Sequence, residues 1–180
     1  MRAIFFRGVL NLLEDHMSSL FRRVQLQILA NVTADAFQAK APRLWQNKTE
    51  KALADYAAFT KNCMEVCTVD AERMYRLSYQ LGHTLCQITG FSKREDLQRL
   101  VFLLYRNIGI TMQGELPGCV TVSECYFSQI YTPQQCRMIS SMDSGIVSGI
   151  CGGGELSFTQ RLTEGCDHCS ACLKVGTKDE

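Results

Sequence analysis

Cys166, Cys169 and Cys172 repeat at three-residue intervals, and seven of the ten cysteines lie between positions 119 and 172. Thiolates are good nucleophiles and good ligands for soft metals. The stretch from Gly165 to Cys172 therefore admits three chemical readings. In the first, Cys166, Cys169 and Cys172 bind zinc, with Cys136, Cys125, His168 or an acid as fourth ligand. In the second, the same thiolates hold an iron–sulfur cluster. The spacing fits its first three cysteines, but a fourth three residues on, followed by proline, is absent, so a remote cysteine must complete it. In the third, one thiolate is catalytic, activated by His168 or a charged neighbour. Otherwise these are small buried residues of a hairpin. On a strand, Cys166 and Cys172 face one side and Cys169 the other, so all three converge only if the backbone turns.

A second constellation precedes the first. Cys136, Ser140 and Asp143 are spaced i, i+4, i+7, which on a helix places them on one face. Burying an unpaired carboxylate is costly, so Asp143 needs a wet cleft, a polar partner or open solvent. Met138, Ile139, Met142 and Ile146 pack elsewhere on the same helix. Cys63 and Cys67 are four apart on a helix, but no histidine or acid completes a metal site, and they read as core, as does Cys86. His16 and His83 are lone helical histidines, and Trp45 stands alone in a loop. Gly152-Gly153-Gly154 lacks the Lys and Ser/Thr of a phosphate loop and reads as a connection.

The elements that must carry these residues read as α+β, an N-terminal helical bundle followed by strand-helix-strand-strand. Leu10, Leu13, Met17, Leu20, Val24 and Ile28 recur at three- and four-residue steps, the pattern of one buried helical face. After a polar break from Pro42 to Lys48, Thr49 caps a helix with Leu53, Ala57, Met64 and Cys67 inward. Met74, Leu77, Leu81 and Leu85 mark a third helix. Ser92 and Glu95 form a capping box for a fourth, with Leu97, Leu100, Val101, Leu104 and Ile108 as its stripe. Gly109, Gly114 and Pro117 close the helical part, which spans 1–116. The α/β part, 117–176, carries the cysteines within the same compact domain. Val120 and Val122 suggest its first strand. Thr132, Pro133 and Gln135 start a helix running to about Val147. Leu156 and Phe158 alternate as a strand, with Cys169 to Val175 as its hairpin partner.

A chain of 180 residues suits one domain with a real core, and 46% apolar with 21% charged residues is ordinary for a globular protein. Net charge is +1, without blocks of like charge, so no nucleic-acid or membrane-surface partner is expected. The start, MRAIFFRGVLNLLEDH, is interrupted by Arg7 and lacks a small-residue cleavage site. It reads as neither a signal peptide nor a membrane span. The expected compartment is the cytoplasm, where the cysteines stay mostly as free thiols or metal ligands rather than disulfides.

From Glu124 to Leu173 the chain resembles the aminothiazoline-carboxylate hydrolase family, enzymes that open a small ring containing sulfur and nitrogen with water. The likeness lies in a cysteine ending a strand (Cys125-Tyr126-Phe127) and a helix with cysteine and aspartate seven apart (Cys136, Asp143). It continues in a strand with an aromatic and polar residues (Leu156, Phe158, Arg161, Thr163) and a glycine with a cysteine four later (Gly165, Cys169). Ser140 stands where a second helical cysteine is expected, and Cys166 and Cys172 are additions. The resemblance implies a hydrolase acting on a C–N or C=N bond of a small cyclic compound. Cys136 or Cys169 would then be the nucleophile or hold a metal, Asp143 the general base, and His168 a proton shuttle. Arg161 suits a substrate carboxylate, with Ser140 beside the substrate. The rival is a module that binds zinc, an iron–sulfur cluster or a small molecule without turnover, as in the similar vinyl-reductase-type sensor domains. Either partner is a small molecule, and the sequence leaves room for a homo-oligomer.

Overall fold

Among the described residues, helical spacing of apolar residues builds four helices before the first strand: α1 (Ser18–Phe37), α2 (Thr49–Val66), α3 (Ala71–Thr89) and α4 (Arg94–Asn107). Strands β1 (Ile110–Gly114) and β2 (Gly118–Cys125) follow. Helix α5 (Pro133–Cys151) then leads to β3 (Glu155–Gln160) and β4 (Cys169–Lys174). These are the elements of a computed structural model, which describes residues 18–67 and 70–174. The chain is α+β, with its helices first and its antiparallel sheet towards the C-terminus.

The expected stripe on α4 is the buried one: Leu100, Val101, Leu104 and Ile108 are buried, with Leu97 packed against them. Each such side chain contributes about 1.5–3 kcal/mol by leaving water. The Ser92–Glu95 capping box does not form. The helix starts later, Lys93 is its cap residue, and no side chain caps it. Arg94 instead donates Nε to the Leu116 carbonyl at 3.0 Å and Nη2 to the Pro117 carbonyl at 2.8 Å, tying the helix start to the β1–β2 turn.

On α1 the sequence holds two apolar stripes, and the structure buries the other one. Leu26, Leu29, Ala30 and Phe37 are inward, whereas Leu20, Val24 and Ile28 are exposed. Leu10, Leu13 and Met17 lie outside the described residues. The buried stripe is continued by alanines, Ala30 and Ala34, that let α1 sit close to its neighbours.

Strand β1 was not expected. Strands were anticipated only after Pro117, but Ile110–Gly114 pairs antiparallel with β2, so a hairpin straddles the expected boundary between positions 116 and 117. The glycines read as the end of the helical part are the hairpin's tools: a Cβ on Gly114, at φ 127°, would lie 2.3 Å from the Cys119 carbonyl oxygen. Strand order is β1-β2-β4-β3, so β4 lies between β2 and its expected partner β3. Val120, Val122, Cys169, Ala171, Leu173 and Leu156 are buried on the sheet.

Helix α5 forms as its sequence demands. The Thr132 hydroxyl accepts from the Gln135 backbone N–H, the Gln135 side chain accepts from the Thr132 N–H, and Pro133 opens the first turn. It runs to Cys151, beyond Val147, and stops at Gly152 in the left-handed conformation. Its partner is α3. A Cβ on Gly145 would lie 2.4 Å from the Tyr75 carbonyl oxygen, and one on Gly149 would lie 2.3 Å from that of Tyr79. From α3, Gly82 meets the Ile146 carbonyl in the same way. Backbone against backbone, these glycines set the position of α5 and therefore of Asp143.

Candidate functional site

Asp143 stands where two cavities adjoin. One, of about 140 Å³, lies among the helices; the other, of about 70 Å³, lies between α5 and the sheet. Tyr105, Ile110, Cys125, Cys136, Asp143 and Cys169 line both. Helix α5 thus brings Cys136, Ser140 and Asp143 to one cavity, and β4 adds Cys169 to it.

The polar groups around Asp143 are tied to one another and to the backbone. The buried Tyr105 hydroxyl donates to Asp143 Oδ1 at 2.9 Å. Arg161 Nη1 donates to Ser140 Oγ at 2.7 Å, and Ser140 Oγ donates to the Cys136 carbonyl at 2.7 Å. The Arg161 guanidinium lies over the Phe158 ring, 4.3 Å from its centroid, with Glu164 3.7 Å from Nε. Cys169 Sγ accepts from the Leu162 backbone N–H at 3.2 Å.

Burial dominates the proton affinities. Asp143 is pushed up to about 6 because desolvation disfavours its charge, although the Tyr105 hydroxyl and Arg161 pull the other way. Burial pushes the Cys125 thiol up to about 12. It also raises Cys169, opposed by the Leu162 N–H and the Arg161 charge. Tyr105 and Tyr56 are likewise raised by burial, and Asp143 adds to both. The site is a carboxyl that titrates near neutrality beside the raised Cys125 and Cys169 thiols and the Tyr105 and Tyr56 phenols.

The two constellations part company at the triplet. Only Cys169 reaches the cavities. Cys172 is bonded to Cys119 across the β2–β4 pair, on the face of the sheet away from the buried Cys169 and Ala171. Cys166 sits in the turn before β4 and His168 in the bend that leads into it, and neither lines either cavity. The proposed ligand set Cys166, Cys169, Cys172 and Cys136 therefore does not assemble. Among the described residues no three His, Cys, Asp or Glu side chains converge as a metal site. Zinc or an iron–sulfur cluster does not fit this arrangement, because the strand separates its ligands.

The cysteines were expected to be mostly free thiols or metal ligands; Cys119–Cys172 is a disulfide, while Cys63, Cys67, Cys86, Cys125, Cys136, Cys151, Cys166 and Cys169 are free. Titration of the denatured, unreduced protein should find eight thiols. Because the bond closes a 53-residue separation, Cys119→Ser should lower stability by about 2–4 kcal/mol in urea denaturation. Reductant should bring the wild type to the variant's midpoint. Ten titratable thiols, or identical midpoints in oxidising buffer, would contradict the bridge.

Tyr105 and Gln25 escaped the sequence reading. Tyr105 follows the last buried leucine of the α4 stripe and carries a hydroxyl on a buried face, which was the available signal. Gln25 lines the larger cavity from the segment Val24–Leu29, in which two glutamines alternate with apolar residues. Among the described residues no helix is long and apolar enough to cross a membrane. Comparison of the chain with protein-family models, curated proteins and solved structures returns no match.

Proposed function

We propose that this protein is a hydrolase that opens a C–N or C=N bond of a small cyclic compound, with Asp143 as general base. The observation that carries this is the placement of Asp143 at the meeting of two cavities, beside two thiols and Arg161. With its pKa raised to about 6, Asp143 is mostly ionised at pH 7 yet accepts a proton readily. As water oxygen adds to the sp2 ring carbon, Asp143 takes a water proton. The C=N electron pair moves to nitrogen, which takes that proton from Asp143. Asp143, again a carboxylate, then takes the new hydroxyl proton as the carbonyl re-forms and gives it to the departing nitrogen, which leaves as a neutral amine. One water is consumed, and no electrons enter or leave.

The Cys169 thiol is held protonated, so it serves as nucleophile only after passing its proton to Asp143; Cys136 lines the same walls. Arg161 and Ser140 form the pole for a substrate carboxylate, the guanidinium being oriented by Phe158 and Ser140. The likeness to aminothiazoline-carboxylate hydrolases supports the same reading. The setting we propose is cytoplasmic, where free thiols persist and the exposed Cys119 leaves its bridge open to reduction. A homo-oligomer is compatible with it.

A second reading, binding without turnover, is favoured by the raised thiols and by walls made largely of Phe21, Ile28, Leu81, Leu85, Ile139 and Leu162. Incubation with 2-aminothiazoline-4-carboxylate or a cyclic amidine separates the two. Hydrolysis should appear, rise with pH through about 6, and fall by about 10²–10⁴ in Asp143→Asn. Binding without ring opening would select the second reading; neither binding nor turnover would defeat both.

A further inference from the structure

Gln25 is buried on α1 and lines the larger cavity. Its Nε2 donates to the Leu104 carbonyl at 2.7 Å. That bond fixes which end of the amide is which, because a carbonyl oxygen accepts only from the NH₂ end. The other end, Oε1, is buried with no partner, and so is the Thr163 hydroxyl on the wall of the same cavity. Native proteins seldom leave a buried acceptor unmet, since it loses water and gains nothing. Most of the surrounding wall is apolar, so Oε1 is a directional acceptor in a greasy part of the chamber, separate from Asp143 on α5. Such a group orients a ligand rather than merely admitting it.

We propose that Gln25 is the second anchor of the ligand, accepting an N–H or O–H hydrogen bond from a single-ring compound whose apolar body fills the chamber. The size agrees: the 140 Å³ of this cavity is close to the about 150 Å³ that holds benzene. Asp143 on α5 and Gln25 on α1 then read the ligand from different walls. A compound with a donor placed for Gln25 is favoured over one that leaves Oε1 bare. The inference rests on the reading that the cavity takes a small molecule, with or without turnover.

Phenol and toluene, alike in shape but differing in one O–H donor, test it by calorimetry or ligand-observed NMR. Wild-type protein should prefer phenol by about tenfold, the worth of one hydrogen bond of ordinary strength. Gln25→Leu should reduce that preference to about twofold or less, while Asp143→Asn keeps it. A preference that survives in Gln25→Leu and disappears in Asp143→Asn overturns the assignment. Equal affinity of the wild type for both probes overturns it too, meaning that Oε1 is met by water, yet leaves the small-molecule reading standing. If neither probe binds, both fall together. Should Gln25→Leu not fold, Gln25→Met with the same probes and a wild-type NOE between phenol and the Gln25 side-chain amide decide the matter, and absence of that NOE with phenol bound counts against Gln25.

Discussion

Asp143→Asn should gain stability relative to wild type as pH rises, by on the order of 2–3 kcal/mol between pH 3.5 and pH 8. The native carboxyl holds its proton up to about 6, against an ordinary value of 3.8. Below about pH 4 both folded and unfolded chains are protonated at this position, and the group has no pH-dependent effect. Between about 4 and 6 the unfolded chain ionises first, so raising the pH draws the equilibrium towards it. The stabilising contribution is thus present at low pH and lost as pH climbs through the folded value. Asparagine does not titrate and still accepts from the Tyr105 hydroxyl. Urea denaturation of both proteins across this range reads the change in their difference, in which other carboxylates cancel. A constant difference would mean that Asp143 has an ordinary pKa and is solvated. The same variant should lose turnover, so the site would hold a charge that costs the fold stability, a common trade at functional positions.

Gly149→Ala should destabilise the protein by about 3 kcal/mol, at the upper end of the range for overpacking. The new methyl would lie 2.3 Å from the Tyr79 carbonyl oxygen and 2.8 Å from the His83 nitrogen. Both belong to the backbone of α3, which cannot rotate aside as a side chain can. Alanine's helix propensity favours the variant by only about 1 kcal/mol, so the clash wins. Gly145→Ala should behave alike, meeting Tyr75 and Ser78, and the pair should not add, since either one already parts the helices. Gly152→Ala is the contrast: nothing lies within 4 Å of its Cβ, and only its φ of 82° is strained. Its cost should be about 1–2 kcal/mol, with the cavity intact. Thermal or urea midpoints rank the three, and a Gly149→Ala protein as stable as wild type would show that α3 and α5 are not so close.

Local patterns decided most of the elements. Thr132-Pro133 and Gln135 set the start of α5 because a cap is satisfied by residues within one turn of itself. The spacing of Cys136, Ser140 and Asp143 placed them on one face because 3.6 residues make a turn whatever surrounds the helix. The α4 stripe was legible for the same reason. By contrast, α1 presents two apolar stripes with nearly equal local signals, and only packing against other helices selects Leu26 and Leu29 over Leu20 and Val24. Strand β1 was hidden because its five residues gain stability from pairing with β2, which no five-residue window contains.

The triplet of cysteines shows where sequence stopped. Its chemistry was plain, but a strand sends alternate side chains to opposite faces, and placing β4 beside β2 gave Cys172 to Cys119 and Cys169 to the cavity. Which thiols meet is a matter of strand order, a non-local choice. Likewise the sequence alone determined that α5 carries a thiol, a hydroxyl and a carboxylate on one face. Only the tertiary structure decided that this face looks into an apolar interior, where Tyr105 and Arg161 arrive from distant parts of the chain and desolvation raises the Asp143 pKa. Helical periodicity is a property of neighbours in the chain; the dielectric around a carboxyl is a property of everything packed around it.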